Sequence, residues 1–179
     1  MTHRLIALLR GINVGKAKRI AMADLRTLLE KLGYTDVKTL LNSGNVVFTS
    51  PIKNTADAAA KIEKGIETKL GVTARVIVIS GSELAEIIKQ NPLQKVMDNP
   101  SRFLVGVVNS PADLAKLEPF RKQDWGQEVL AVGKQAVYLW CPNRILESKL
   151  LIAISKILKD GITARNWATI LKLQAMVEV

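Results

Sequence analysis

A chain of 179 residues, 48% hydrophobic and 23% charged, has room for one large domain or two small ones. No apolar run reaches membrane-spanning length, and a single cysteine excludes an internal disulfide. The formal net charge of +10 points to a polyanionic partner, RNA or DNA first, or else to well-solvated helix faces. The first residues lack the charged, apolar and small-residue order of a signal peptide. The expected compartment is therefore the cytoplasm, with no membrane partner.

Residues 4–9 read as a buried strand. Met22, Leu25, Leu28, Leu29 and Leu32 then recur at helical spacing, and Gly33 supplies the stop. Residues 37–41 and 46–48 are short apolar runs around Asn42-Ser43-Gly44-Asn45, a hairpin signal. Thr55 caps a helix carrying Ala59, Ile62, Ile66 and Leu70 on one face, closed by Gly71. Residues 76–79 give a β-branched strand. The order β-α-β-β-α-β is the split pattern of ferredoxin-like sandwiches. Ser80 and Glu83 make the capping box of a connecting helix that Asn91-Pro92 ends.

The pattern then restarts with a strand over 103–108. Ser110-Pro111-Ala112-Asp113 opens a short capped helix. Residues 128–132 and 137–140 form a hairpin around Gly133-Lys134-Gln135, and a long helix follows with Leu146, Leu150, Leu151, Ile154, Ile157 and Leu158 as its apolar stripe. Gly71-Val72-Thr73-Ala74-Arg75 is echoed by Gly161-Ile162-Thr163-Ala164-Arg165 at the matching point in the order. There the second copy departs: in place of a strand, Asn166-Trp167 leads into a final helix. The expected fold is α+β, with two tandem ferredoxin-like (βαββαβ) units at 1–80 and 101–179. The second is modified at its C-terminal end, and a connecting helix and linker fill 81–100.

Three segments carry a resemblance. Leu8-Leu9-Arg10-Gly11-Ile12-Asn13-Val14-Gly15, Asn42-Ser43-Gly44-Asn45-Val46-Val47-Phe48 and Thr163-Ala164-Arg165-Asn166-Trp167 resemble the signature segments of a bacterial family, domain of unknown function 1697. The family's usual pattern has a second glycine where this chain has Lys16, a departure that adds charge. The resemblance implies two ferredoxin-like units and a small cytosolic protein, and it supplies no established activity, substrate or catalytic residue.

In the first segment an apolar strand runs into two glycines four apart and then into a knot of positive charge. Aligned to a phosphate-binding P-loop, Arg10 stands where the first glycine belongs and Ala17 where the metal-binding hydroxyl belongs, which excludes a nucleoside-triphosphatase loop. The spacing of Gly11 and Gly15 also fails the dinucleotide fingerprint. What survives is general: the glycines permit close backbone approach, and Arg10, Lys16, Lys18 and Arg19 neutralise phosphate or carboxylate. The competing reading is a turn needing positive φ at its glycines, with Asn13 bonded locally to the backbone.

If Thr163 caps the last helix, Arg165 and Asn166 lie in its first turn beside anion-attracting N–H groups. The candidate ligand set is Arg10, Gly11, Asn13, Gly15 and Lys16 with Arg165 and Asn166, meeting in one anion pocket between the units. Ser43 as a nucleophile needs a base; the only histidine is His3, beside the N-terminus, which leaves a Ser-Lys pair as the open alternative. The hairpin residues also suit a tight turn and nothing more. Cys141 reads as a small buried residue at a strand end, and no metal-ligand set or cofactor motif accompanies it. The RNA-recognition motif shares the element order, but strand one has no aromatic and residues 45–48 only Phe48, so base stacking is poorly supported. The expected function is a non-enzymatic module binding an anionic ligand or polyanion, either nucleic acid or a phosphorylated metabolite. Two alternatives are an enzyme acting on a small phosphorylated or carboxylated substrate in a cleft between the units, and a module that assembles through its sheets. Catalytic residues and oligomeric state are left open.

Overall fold

The computed structural model describes residues 1–178. The chain divides into two compact units, Met1–Leu84 with the chain from Leu173 onward, and Ala85–Lys172. The first contains β1 (His3–Arg10), α1 (Met22–Lys31), β2 (Thr35–Leu40), β3 (Asn45–Ser50), α2 (Thr55–Gly65) and β4 (Arg75–Ser80). The next helix, α3 (Gly81–Lys89), crosses the division. The second unit contains β5 (Phe103–Val108), a 3-10 segment (Pro111–Lys122), β6 (Val129–Val132), β7 (Ala136–Trp140), α4 (Lys149–Leu158) and β8 (Ile162–Asn166). The last helix, α5 (Trp167–Val177), crosses the division again. The structure is thus α+β, with two four-stranded antiparallel sheets ordered β2-β3-β1-β4 and β6-β7-β5-β8.

Period-two alternation puts Leu5, Ala7 and Leu9 of β1 on one face with Val46, Phe48, Val76 and Val78, where Leu25, Leu29, Ile62 and Ile66 cover them. The second unit builds the same layer from Leu104, Val108, Val137 and Leu139 under Leu117, Leu150, Ile154 and Leu158. β3, β5 and β7 bury every residue, so their sequences read as continuous apolar runs rather than an alternation. Among the described residues no helix is long and apolar enough to cross a membrane.

Several local expectations are corrected. Asn54 caps α2 instead of Thr55: its Oδ1 accepts from the Asp57 N–H at 3.1 Å. That helix relaxes into a π turn over Ile66–Leu70 before Gly71, at φ +66°, ends it. Ser110 makes no side-chain cap, and the segment it opens is a 3-10 helix with Pro119 in its interior. Ser148 caps α4, its Oγ accepting from the Leu151 N–H at 3.0 Å. Leu146 therefore lies outside that helix and is 92% exposed, and Ile157 is also exposed. The buried stripe narrows to Leu150, Ile154 and Leu158, one residue per turn.

The largest correction falls at the end of the second unit. Residues 162–166 form a strand paired along β5, with Thr163 opposite Val107 and Arg165 opposite Val105. The strand thought missing is present, and the helix after it matches the one after β4. The five-residue echo is out of register: residues 71–74 precede β4, whereas residues 162–165 lie inside β8. The expected capping box is present, with Glu83 Oε2 accepting from the Ser80 N–H at 2.7 Å and Ser80 Oγ accepting from the Glu83 N–H at 3.2 Å.

Tyr138, 1% exposed, donates its hydroxyl to the Ile87 carbonyl at 2.6 Å. Burial, with a smaller push from Glu86, raises its ionisation from the usual 10 to about 12. The folded state thus holds this proton more tightly than the unfolded chain does. The stability it contributes is complete below pH 10 and is lost as pH rises from 10 to 12, on the order of 2–3 kcal/mol. Urea midpoints across that window should fall less steeply in Tyr138→Phe than in the wild type. At pH 7 the same variant should lose about 1–2 kcal/mol, because the Ile87 carbonyl loses its donor. Equal alkaline slopes in both proteins would refute this account.

Candidate functional site

The loop leaving β1 is built by its own residues. Ile12 and Ile20 are buried and pin its two ends, while Val14 through Arg19 are exposed between them. Asn13 ties the ends together. Its Nδ2 donates to the Ile20 carbonyl at 2.9 Å and to the Asn42 carbonyl at 2.7 Å, and its Oδ1 accepts from the Ile20 N–H at 2.8 Å. Both amide hydrogens are thereby used, so Asn13 acts as the staple of the loop. The Asn13 N–H also donates to the Lys18 carbonyl at 3.0 Å.

The turn between β2 and β3 supports this loop. Leu9 donates its N–H to the Gly44 carbonyl at 2.8 Å. A Cβ on Gly44 would stand 2.7 Å from Leu9 Cβ and 2.8 Å from Ile12 Cδ1. Asn45, fully buried, donates to the Leu40 carbonyl at 2.7 Å and to Ser43 Oγ at 2.9 Å. Two of the three signature segments therefore meet, with the second as the floor of the first.

Left-handed backbone recurs along this loop. Gly11, Asn13 and Gly15 have φ of +74°, +54° and +65°, whereas Ile12 and Val14 between them do not enter the positive region. Lys18 is also left-handed, at +53°. A non-glycine residue in this region costs roughly 1–2 kcal/mol. The Asn13 hydrogen bonds offset that strain.

Lys16, Lys18 and Arg19 are exposed, and no acidic residue occurs between Arg10 and Ala21. Among the described residues none of these three cations makes an ion pair. Arg10 is half-buried, and the register of β1 and β4 sets it directly opposite Arg75. Arg75 was not in the candidate set, because only strand pairing reveals it. It lies 3.5 Å from Glu63.

Catalytic readings gain nothing from the geometry. His3 pairs with Ser50 while Leu8 pairs with Asn45, which places the imidazole end of β1 about 17 Å along the strand from the Ser43 turn. Phe48 packs in the helix-covered core and presents no stacking surface. Among the described residues no group of three His, Cys, Asp or Glu side chains is placed to hold a metal.

In the second unit, Arg165 lies in β8 and not in the first turn of a helix, and Asn166 is the strand's last residue. Thr163 caps nothing there: its Oγ1 accepts from Arg165 Nη1 at 3.0 Å, and the same nitrogen donates to the Ala164 carbonyl at 2.9 Å. Desolvation holds the Arg165 guanidinium below the ordinary arginine range, at about 10, so it is charged at neutral pH. Asn166 caps α5, its Oδ1 accepting from the Thr169 N–H at 2.9 Å. Trp167 is buried edge-on to Phe103, ring centroids 5.5 Å apart. Cys141 is 1% exposed, its thiol 3.5 Å from Ser148 Oγ, and burial pushes its ionisation up, away from nucleophilic use.

No curated protein matches the chain. Among solved structures it is similar to the conserved bacterial protein SP0830 from Streptococcus pneumoniae, with 24% identity, a TM-score of 0.81 and 99% of each chain covered. At that identity the likeness speaks for the fold alone. A family described as "Protein of unknown function (DUF1697)" matches residues 1–138, which include the basic loop and the turn beneath it. On that match the chain belongs to the DUF1697 family.

Proposed function

We propose that the protein is a non-enzymatic binding module whose ligand is anionic and whose contact surface is the loop from Gly11 to Arg19, carried on a ferredoxin-like βαββαβ unit. The strand order β2-β3-β1-β4 supports the unit, and the order β6-β7-β5-β8 supports a second of the same kind. One observation carries the functional reading. Three exposed cations without ion-pair partners sit on a strained loop that Asn13 and the Gly44 turn hold rigid. Strain kept on an exposed loop is the mark of a preorganised binding surface. The reading fits the net charge of +10, while the buried Phe48 favours electrostatic contact over base stacking. Strands β3, β5 and β7 leave no uncovered apolar face, which weighs against assembly through their sheet faces.

The test is a salt titration of RNA and DNA binding. Replacing Lys16, Lys18 and Arg19 together with alanine should weaken binding uniformly across sequences and flatten the slope of log affinity against log salt by about 2–3. An unchanged slope, or a wild-type protein that binds no nucleic acid or small phosphate at low salt, would remove the loop from the function.

A further inference from the structure

The sign of φ alternates over five successive residues, positive at Gly11, Asn13 and Gly15 and not at Ile12 and Val14. Alternating handedness turns successive backbone N–H groups toward one side, making a concave nest that holds an anionic oxygen. The Asn13 N–H is spent within the loop, on the Lys18 carbonyl. Among the described residues the N–H groups of Val14, Gly15 and Lys16 make no internal hydrogen bond. The loop stands in open space: Gly11 and Val14 through Arg19 are exposed, and a Cβ built on Gly11 or on Gly15 meets nothing within 4 Å. Lys16, Lys18 and Arg19 follow with no acid among them.

From this arrangement we infer that the loop is a main-chain phosphoryl site, which takes the terminal phosphate of a monoester. The inference rests on the proposed anion-binding function and narrows it. Three consecutive main-chain donors without an internal partner are available to one anionic group, and the three cations match a group of nearly two negative charges. A phosphodiester offers one charge and two free oxygens, and it is the poorer match. Ala17 stands where a phosphate-binding P-loop has its metal-binding hydroxyl, so the site is not a P-loop and binding alone is inferred. The same chemistry occurs at the phosphate of a small metabolite and at the 5′ end of a nucleic acid.

The test uses the full chain labelled with 15N and titrated with inorganic phosphate at low ionic strength. The amide signals of Val14, Gly15 and Lys16 should move downfield together and saturate at one equivalent. Lys16→Ala removes a charge, whereas Lys16→Pro removes that charge and an N–H, at a residue whose φ is not positive. Phosphate affinity should fall at least tenfold further in Lys16→Pro than in Lys16→Ala, with the signals of β1 and β3 unchanged in both. Ribose 5-phosphate and an oligonucleotide with a 5′ phosphate separate the two sources, and the tighter binder names the natural one. Equal affinity for the oligonucleotide with and without its 5′ phosphate would overturn the inference. So would equal affinity of the two Lys16 variants, or phosphate binding with still amides. In those cases the side chains alone hold the anion, and the broader function stands. Only absence of all anion binding removes both.

Discussion

Replacing Gly44 with alanine should lower stability by about 2–5 kcal/mol and unseat the basic loop. Gly44 has φ +83°, where an L side chain is strained by roughly 1–2 kcal/mol. The added methyl would also stand 2.7 Å from Leu9 Cβ and 2.8 Å from Ile12 Cδ1. Leu9 Cβ belongs to a central strand and has no torsion with which to retreat. Relief must therefore come from the backbone, at the cost of the Leu9 to Gly44 hydrogen bond of 2.8 Å and the seat of Ile12. Urea midpoints measure the stability loss, and phosphate titration measures the loop. Gly15→Ala is the contrast, since its methyl points into open space and only the strain of φ +65° remains. It should cost about 1–2 kcal/mol. A Gly44→Ala protein as stable as the wild type would mean that the turn is not the floor of the loop.

How much of this was legible in the sequence follows from where the determining forces act. β1, β5 and the hairpins are set by local apolar runs and turn residues, and they were readable to within about two residues. The Ser80–Glu83 capping box is equally local, and it stands as read. β8 is hidden in the sequence because Thr163 resembles a helix-start residue, whereas the residue that starts the helix is Asn166, at the end of the strand. What makes residues 162–166 a strand is the free edge of β5, a partner more than fifty residues away. Leu146 was misplaced for a related reason: periodicity counts it into the stripe, but the cap at Ser148 starts the helix after it.

The site divides in the same way. Glycines, charge and the local bonding of Asn13 could be read from Leu8 to Arg19. The support of Gly44 and the placement of Arg75 opposite Arg10 required tertiary pairing. Asn13 shows the two readings of the loop merging, since the local bonds that make it an ordinary turn residue also hold the strained backbone open.

Glu128→Ala should cost about 2–4 kcal/mol, although sequence patterning marked this residue only as the start of a strand. Its carboxylate accepts from Ser148 Oγ at 2.5 Å, from the Lys149 N–H at 3.1 Å and from the Leu150 N–H at 3.3 Å. α4 has no acid in its own first turn. Glu128 therefore supplies from twenty residues away the negative charge and the acceptors that its N-terminus needs. Ser148 is 2% exposed, so removing the carboxylate leaves a buried hydroxyl and two helix N–H groups without their acceptor. Glu128→Gln keeps one acceptor oxygen and loses the charge, and about half of the cost should appear. Cys141 gives an independent reading, because its thiol sits behind Ser148 at 3.5 Å and is the chain's only one. Fraying of the first turn of α4 should open it to a thiol reagent. Labelling under native conditions should be fastest in Glu128→Ala, intermediate in Glu128→Gln and slowest in the wild type. Should both variants lie within about 0.5 kcal/mol of the wild type with Cys141 equally slow, the range of ordinary surface changes, then α4 is held by its apolar stripe alone and Glu128 is a surface residue.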